Sequence, residues 1–140
     1  MLDRLTSTLN FQAEALVLRS ERQRLIASNI ANADTPGYVA RDMDFAKQLQ
    51  AATRAQSAGG AVASAKVVAT TSAGHIGNTV NGRAPVELNY ALASQTNLDS
   101  NTVDMDRERA NFADNSVRYE ATLRFINGSV KTMLSAITGQ

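Results

Sequence analysis

The chain has 140 residues, a net charge of +1 at pH 7, one histidine, no cysteine and no tryptophan. That length bounds it to a single domain (1–140), and the near balance of 14 basic and 13 acidic residues argues against a concentrated basic face for nucleic acid or an anionic membrane. Disulfides and cysteine-ligated metals are excluded, and the scarcity of aromatic residues argues against a large core of bulky side chains.

No apolar run approaches the ~20 residues of a membrane span. At the N-terminus, Asp3, Arg4 and Glu14 interrupt any apolar stretch of the kind a secretory signal needs. Composition by itself therefore suggests a cytoplasmic protein with no direct membrane insertion.

The first predicted element is a helix over residues 5–32. Leu2, Leu5, Leu9, Leu16, Ile26 and Ile30 form one stripe at spacings built from threes and fours, and Phe11, Ala15, Leu18 and Leu25 form a second, offset stripe. A helix on one partner needs one stripe. Two stripes suggest cover on two sides, from subunits of an assembly or from two neighbours within the chain. Arg19, Arg22 and Arg24 spread around the circumference, as solvated residues or as partners for acids such as Glu14 and Glu21.

Residues 28–45 read S-N-I-A-N-A-D-T-P-G-Y-V-A-R-D-M-D-F and bring that helix to a specified stop. Ile26, Ala27, Ile30 and Ala31 keep helical spacing, and Asn32 suits the left-handed conformation that often ends a helix. Pro36 pushes Thr35 out of the α region and cannot itself continue a helix. Thr35-Pro36-Gly37-Tyr38 fits a type II turn, with proline second and glycine third, where φ is positive.

Residues 33–102 form the middle of the chain. Asp44 is placed to cap a short helix from Phe45 to Arg54. From Ala51 to Pro85 there is no acid and no aromatic residue, and Gly59-Gly60, Gly77-Asn78 and Asn81-Gly82 are breaker signals. Such a segment buries too little apolar area to offset its ordering entropy, so it is expected to be poorly ordered. Val67-Val68 and Val86-Glu87-Leu88 are the candidate strands of a small β-hairpin.

The third predicted element is a helix over residues 103–138. Met105, Phe112, Tyr119, Ile126 and Met133 are seven apart; so are Arg109, Ser116, Leu123, Val130 and Ile137. Interleaved, the rows give alternating steps of four and three, the a/d pattern of a coiled coil. Phe112, Tyr119, Leu123, Ile126, Val130, Met133 and Ile137 are its predicted assembly seam. Asp104, Asp106 and Glu108 fall in the first turns, where the helix dipole favours negative charge. Gly128 is an interior flaw costing about 1 kcal/mol, and Gly139 is a plausible end cap.

The predicted fold is all-α: two long terminal helices packed as an antiparallel coiled-coil hairpin around a poorly ordered centre. The helices would be about 42 and 52 Å long at 1.5 Å per residue. A hairpin of that length has one seam and leaves its outer stripe wet, which favours self-association.

Nothing in the chain spells out catalysis. His75 lies in S-A-G-H-I-G with no nucleophile-elbow motif and reads as a loop residue. Asp104-x-Asp106-x-Glu108 lacks the glycine and distal glutamate of a calcium loop, and no other metal-ligand spacing occurs. Asp42 and Asp44, two residues apart after a turn, suit solvation or capping better than acid–base work. The expectation is no enzyme, no cofactor and no metal.

The whole string around the turn is more informative than its parts. Asn29, Ala31, Asn32, Thr35, Pro36, Gly37 and Tyr38 match the N-terminal signature of the bacterial flagellar axial family of rod, hook and hook-associated proteins, with Ser28 where a leading alanine is usual. A second stretch, Asn101, Thr102, Val103, Asp104, Met105, Asp106 and Glu108, resembles the N-T-V-D-M-D-x-E signature of the family's proximal-rod members. Arg41-Asp42-Met43-Asp44-Phe45 and the chain length are also similar to those members, and the resemblance extends to a histidine near position 75. Ser100 departs from a common glycine and Val39 from a common lysine. The resemblance covers roughly residues 5–50 and 95–138. It implies a structural subunit of the proximal rod of the flagellar basal body, self-assembling into a hollow axial drive shaft that transmits torque. The implied partners are other copies of the chain, other rod proteins, and membrane-ring and export-gate components at the base of the rod. The implied location is the rod that spans the periplasm, reached through the flagellum's own secretion apparatus without a cleaved signal. In that family the terminal helices line an inner tube and the centre lies further out. The alternative from another class is a soluble coiled-coil adaptor or export chaperone.

Overall fold

The structure, a computed structural model, describes residues 2–57, 87–90 and 98–139. Its elements in chain order are α1 (Leu2–Ala31), β1 (Arg41–Asp42), α2 (Phe45–Ser57), β2 (Asn89–Tyr90) and α3 (Met105–Thr138). The two long terminal helices pack together as an antiparallel pair: Asn29 meets Glu108, while Gln23, a turn and a half earlier, meets Asn115 and Ser116. Helix α2 packs on α1 as well, so α1 has two neighbours within the chain.

The helix boundaries follow from local chemistry. The last turn of α1 tightens, with Asn32 N–H shared between Ser28 O (3.2 Å) and Asn29 O (3.1 Å) and Ala33 N–H donating to Ile30 O. Asn32 does not adopt the left-handed conformation expected of it: among the described residues positive φ occurs only at Gly37, Ser100 and Gly139. Its side-chain amide instead folds back and donates to Ser28 O at 2.8 Å. Asp44 caps α2 as expected, accepting from Lys47 N–H at 3.1 Å, and the helix runs on to Ser57 instead of stopping at Arg54. Helix α3 starts at Met105, two residues later than expected, because Asp104 sits outside it as the N-cap. The Asp104 carboxylate accepts from the N–H groups of Asp106 and Arg107. Gly139 closes the helix at φ 73°, donating to Ser135 O. Gly128 lies within α3 without ending it.

A two-residue antiparallel ladder pairs Arg41 with Tyr90 and Asp42 with Asn89. This small sheet joins β1 to the segment before α3. Of the strand pair expected from sequence, Val67-Val68 and Val86 lie outside the described residues, and Glu87 and Leu88 lead into β2. Gly59-Gly60, Gly77-Asn78, Asn81-Gly82 and His75 also lie outside them.

The core sits where α1, α3 and the residues around β1 converge. Ala15, Leu18, Ile26, Ala40, Met43 and Val103 are its buried apolar members, and Asn29, Asn101, Glu108, Asn115 and Thr122 its buried polar ones. The buried face of α1 draws on both predicted stripes, while Leu5 and Phe11 remain exposed.

The heptad reading of α3 needs a correction in phase. Of the first row, Met105, Tyr119, Ile126 and Met133 turn partly inward and Phe112 is more open. Of the second row, Ser116 accepts from Gln23 of α1, but the apolar members Leu123, Val130 and Ile137 are 37%, 40% and 77% exposed. The seven-spaced row that α1 covers lies one residue earlier, at Glu108, Asn115 and Thr122. Glu108 and Asn115 hold the inner position because α1 offers them hydrogen-bond partners, and Thr122 because its hydroxyl donates to Arg118 O of its own helix; burial without partners would cost each about 1–3 kcal/mol.

Candidate functional site

The two signature segments meet in one hydrogen-bonded junction at the end of the hairpin. Its centre is Asn29, on the last turns of α1 and only 1% exposed. Its amide nitrogen donates to Arg41 O (2.8 Å) and Glu108 Oε2 (3.1 Å). Its amide oxygen accepts from Arg41 N–H (3.0 Å) and the Tyr38 hydroxyl (3.3 Å). All four bonding directions of the carboxamide are used. One side chain thus ties α1, the chain after the turn, and α3. The Tyr38 hydroxyl also lies 3.2 Å from Ser28 Oγ.

Asn101 does the corresponding work from the second signature. Its amide nitrogen reaches the carbonyls of Asn32 (3.0 Å), Ala33 (2.6 Å) and Thr35 (3.0 Å), and its oxygen accepts from Val103 N–H at 2.8 Å. Carbonyls at a helix C-terminus have no partner within the helix. Asn101 supplies one from 66 to 69 residues away in sequence.

The turn is clamped between these residues. Tyr38 N–H donates to Thr35 O at 3.2 Å and Gly37 has φ 71°, which is the type II geometry expected from Thr35-Pro36-Gly37-Tyr38. Thr35 Oγ1 donates to Asn32 Oδ1. Gly37 N–H donates to Asp99 O at 2.7 Å, Thr102 N–H to Tyr38 O at 3.1 Å, and Ala40 N–H to Thr102 Oγ1 at 2.8 Å. Just before Asn101, Ser100 is left-handed at φ 56°. That explains why the resemblance puts a glycine there.

Further along the hairpin, Arg22 clamps Asp42 with two bonds of 3.1 and 3.0 Å, and Asp42 Oδ1 accepts from Met43 N–H. Arg19 lies over the Phe45 ring, 4.5 Å from its centroid, joining α1 to α2. Burial pushes the Arg19 guanidinium below its usual pKa. Asn115, 1% exposed, donates to Arg19 O and Gln23 Oε1. Gln23 Nε2 donates in turn to Ser116 Oγ.

The predicted signature residues are thus brought together, with Ala31 and Asp106 exposed at the edge. The predicted seam is divided. Phe112, Tyr119, Ile126 and Met133 border α1, while Leu123, Val130 and Ile137 face outward beside Val117, Phe125 and Leu134. Sequence reading missed Arg22, Gln23 and Asn115 as tertiary contacts. The row Glu108, Asn115, Thr122 carries its own seven-residue spacing, but polar residues give no weight to an apolar periodicity. Among the described residues no group of three or more His, Asp or Glu side chains could hold a metal ion, and no helix is long and apolar enough to cross a membrane.

A family model described as "Flagella basal body rod protein" matches residues 9–38, most of α1 through the turn. The chain is 47% identical over 137 residues to the flagellar basal body rod protein FlgB of Proteus mirabilis, covering 98% of both chains. It is 46% identical to FlgB of Escherichia coli, over 98% of this chain and 97% of that one. Against FlgB of Salmonella typhimurium it is 47% identical over 140 residues, 99% of each.

Proposed function

Because the chain belongs to the FlgB family of flagellar basal body rod proteins, and is a structural subunit of the rod and not an enzyme, we propose that its paired terminal helices stack beside those of neighbouring subunits to build the proximal part of a hollow drive shaft. The outer rows of α1 and α3 make the lateral contacts, and torque passes through them as a static load. The observation that carries this reading is the apolar row Leu123, Val130 and Ile137, left open on α3 while its polar counterpart Glu108, Asn115, Thr122 is turned inward. A free monomer gains nothing from that arrangement; a subunit with a neighbour over α3 buries the apolar row and leaves the inner row in place.

The partners are other copies of the chain, other rod proteins and, at the base, membrane-ring and export-gate components. The chain reaches them through the flagellar secretion apparatus without cleavage. The test is a deletion strain complemented with the tagged chain. Swimming should be lost on deletion and restored by the chain, which should co-purify at full length with basal bodies. Wild-type swimming after deletion, together with a stable, fully helical soluble oligomer, would point to the adaptor or chaperone instead.

A further inference from the structure

A shallow, almost wholly apolar pocket of about 340 Å³ opens on the hairpin between Ala27, Ile30 and Ala31 of α1 and Arg109 and Phe112 of α3. Ala27 and Ala31 stand one helical turn apart and leave its floor open. Arg109 stands at its edge and has no ion-pair or hydrogen-bond partner among the described residues. The pocket therefore suits an apolar side chain followed closely by an acid.

The chain presents such a pair. Leu98 is fully exposed, at 105% of its reference area, and Asp99 follows it with its side chain in solvent. The backbone is anchored on the C-terminal side of Leu98. Asp99 O accepts from Gly37 N–H at 2.7 Å, and Ser100 beside it carries the left-handed φ of 56°. A large apolar side chain left wholly in water beside an anchored backbone gains apolar burial on docking. Leu98 does not line the pocket of its own chain.

We infer that Leu98 of one copy inserts between Ala27, Ala31 and Phe112 of a second copy, with Asp99 pairing to Arg109. This deepens the rod reading and rests on it. Knob and pocket are different surfaces, so the contact is heterologous. It leaves a free knob at one end and a free pocket at the other, and it propagates as an open helix where it does not close into a ring.

The chain has no native cysteine, so the contact can be trapped in basal bodies carrying Leu98→Cys and Ala27→Cys. On mild oxidation the double variant should give disulfide-linked multimers of this chain, and each single variant none. As a second measurement, Asp99→Lys and Arg109→Glu should each slow swimming by roughly tenfold or more, and the double exchange should recover most of the loss. Basal bodies that contain the double-cysteine chain but give no multimers overturn the contact and leave the rod reading intact. So does a bridge to a different protein, or a double exchange no better than its parents. Absence of the chain from basal bodies overturns both.

Discussion

Asn29 Nδ2 donates to Glu108 Oε2 at 3.1 Å across a gap of 79 residues, in a pocket from which water is shut out. This bond joins the two signature segments directly. It converts two local motifs into one tertiary junction at the end of the hairpin where the chain turns.

Asn29→Leu should be among the most damaging single changes in the isolated chain. It strips partners from Arg41 N–H, Arg41 O and the Glu108 side chain at once. Stranded buried polar groups cost about 1–3 kcal/mol each, so a loss of at least ~3 kcal/mol is expected in urea unfolding followed by circular dichroism. Glu108→Gln keeps an acceptor in place and should cost clearly less. Equal losses would show that the Asn29 contact is not the organising one.

At the turn, Gly37 and Ser100 should respond in opposite directions. A Cβ added at Gly37 meets nothing within 4 Å, so the strain of Gly37→Val comes from φ 71° alone, about 1–2 kcal/mol. Ser100→Gly relieves a left-handed serine and should be neutral or stabilising by up to ~1 kcal/mol, less what glycine adds to the freedom of the unfolded chain. Pro36→Ala should be milder than Gly37→Val. Thermal melts of the three variants check the order.

The outer and inner rows of α3 should separate stability from assembly. Leu123→Asp changes a residue that is 37% exposed and should cost the isolated chain about 1 kcal/mol, less than a change in the buried row. It should nevertheless block incorporation into basal bodies and abolish swimming. Asn115→Leu takes the donor away from Arg19 O and Gln23 Oε1 and should lower the melting temperature of the isolated chain, though by less than Asn29→Leu because the Asn115 amide oxygen has no partner to lose. Normal swimming with Leu123→Asp would remove the outer row from the assembly surface.

The Arg22–Asp42 clamp is two-pronged and partly shielded, so Arg22→Lys should cost about 0.5–1.5 kcal/mol even though the charge is kept. Denaturant midpoints at low and high salt test this. A loss that vanishes in high salt would mean a simple screened ion pair.

Lys47 and Glu87 form an exposed contact of 2.6 Å whose pH window follows from its shifts. The lysine hydrogen bond holds the Glu87 carboxyl below its usual 4.5, so that contribution exists above 4.5 and fades as pH falls through the lowered value. The same bond raises Lys47 above its usual 10.5, so its contribution exists below 10.5 and fades as pH rises through the raised value. Side-chain NMR should show the pair intact between these limits, with no detectable change in global melting as it breaks, because both groups face water.

Much of the architecture was legible because it is encoded over short distances. Pro36 and Gly37 dictate a type II turn whatever surrounds them, Asp44 announces the start of α2, and Gly139 ends α3. The seven-residue spacing from Met105 to Ile137 specifies a long helix with a stripe. Asn32 was misleading at this level. Its left-handed tendency is real but weak, and a tightened last turn with Asn101 bonded to the freed carbonyls is the better solution.

Which face of α3 turns inward is a different kind of information. Periodicity sets the phase of a stripe along one helix, not the identity of whatever covers it. Asn115 and Glu108 can be buried only because Arg19, Gln23 and Asn29 stand opposite them, 79 to 96 residues earlier. A buried polar group is stable only once its partner is in place, so no local property of either segment could reveal the pairing. Backbone preferences and apolar spacing, both local, are enough to specify the helices, the turn and the caps. That Glu108 and Asn115 bond across the hairpin while Leu123, Val130 and Ile137 stay open was settled by packing alone, because it depends on hydrogen bonds between segments 79 to 96 residues apart.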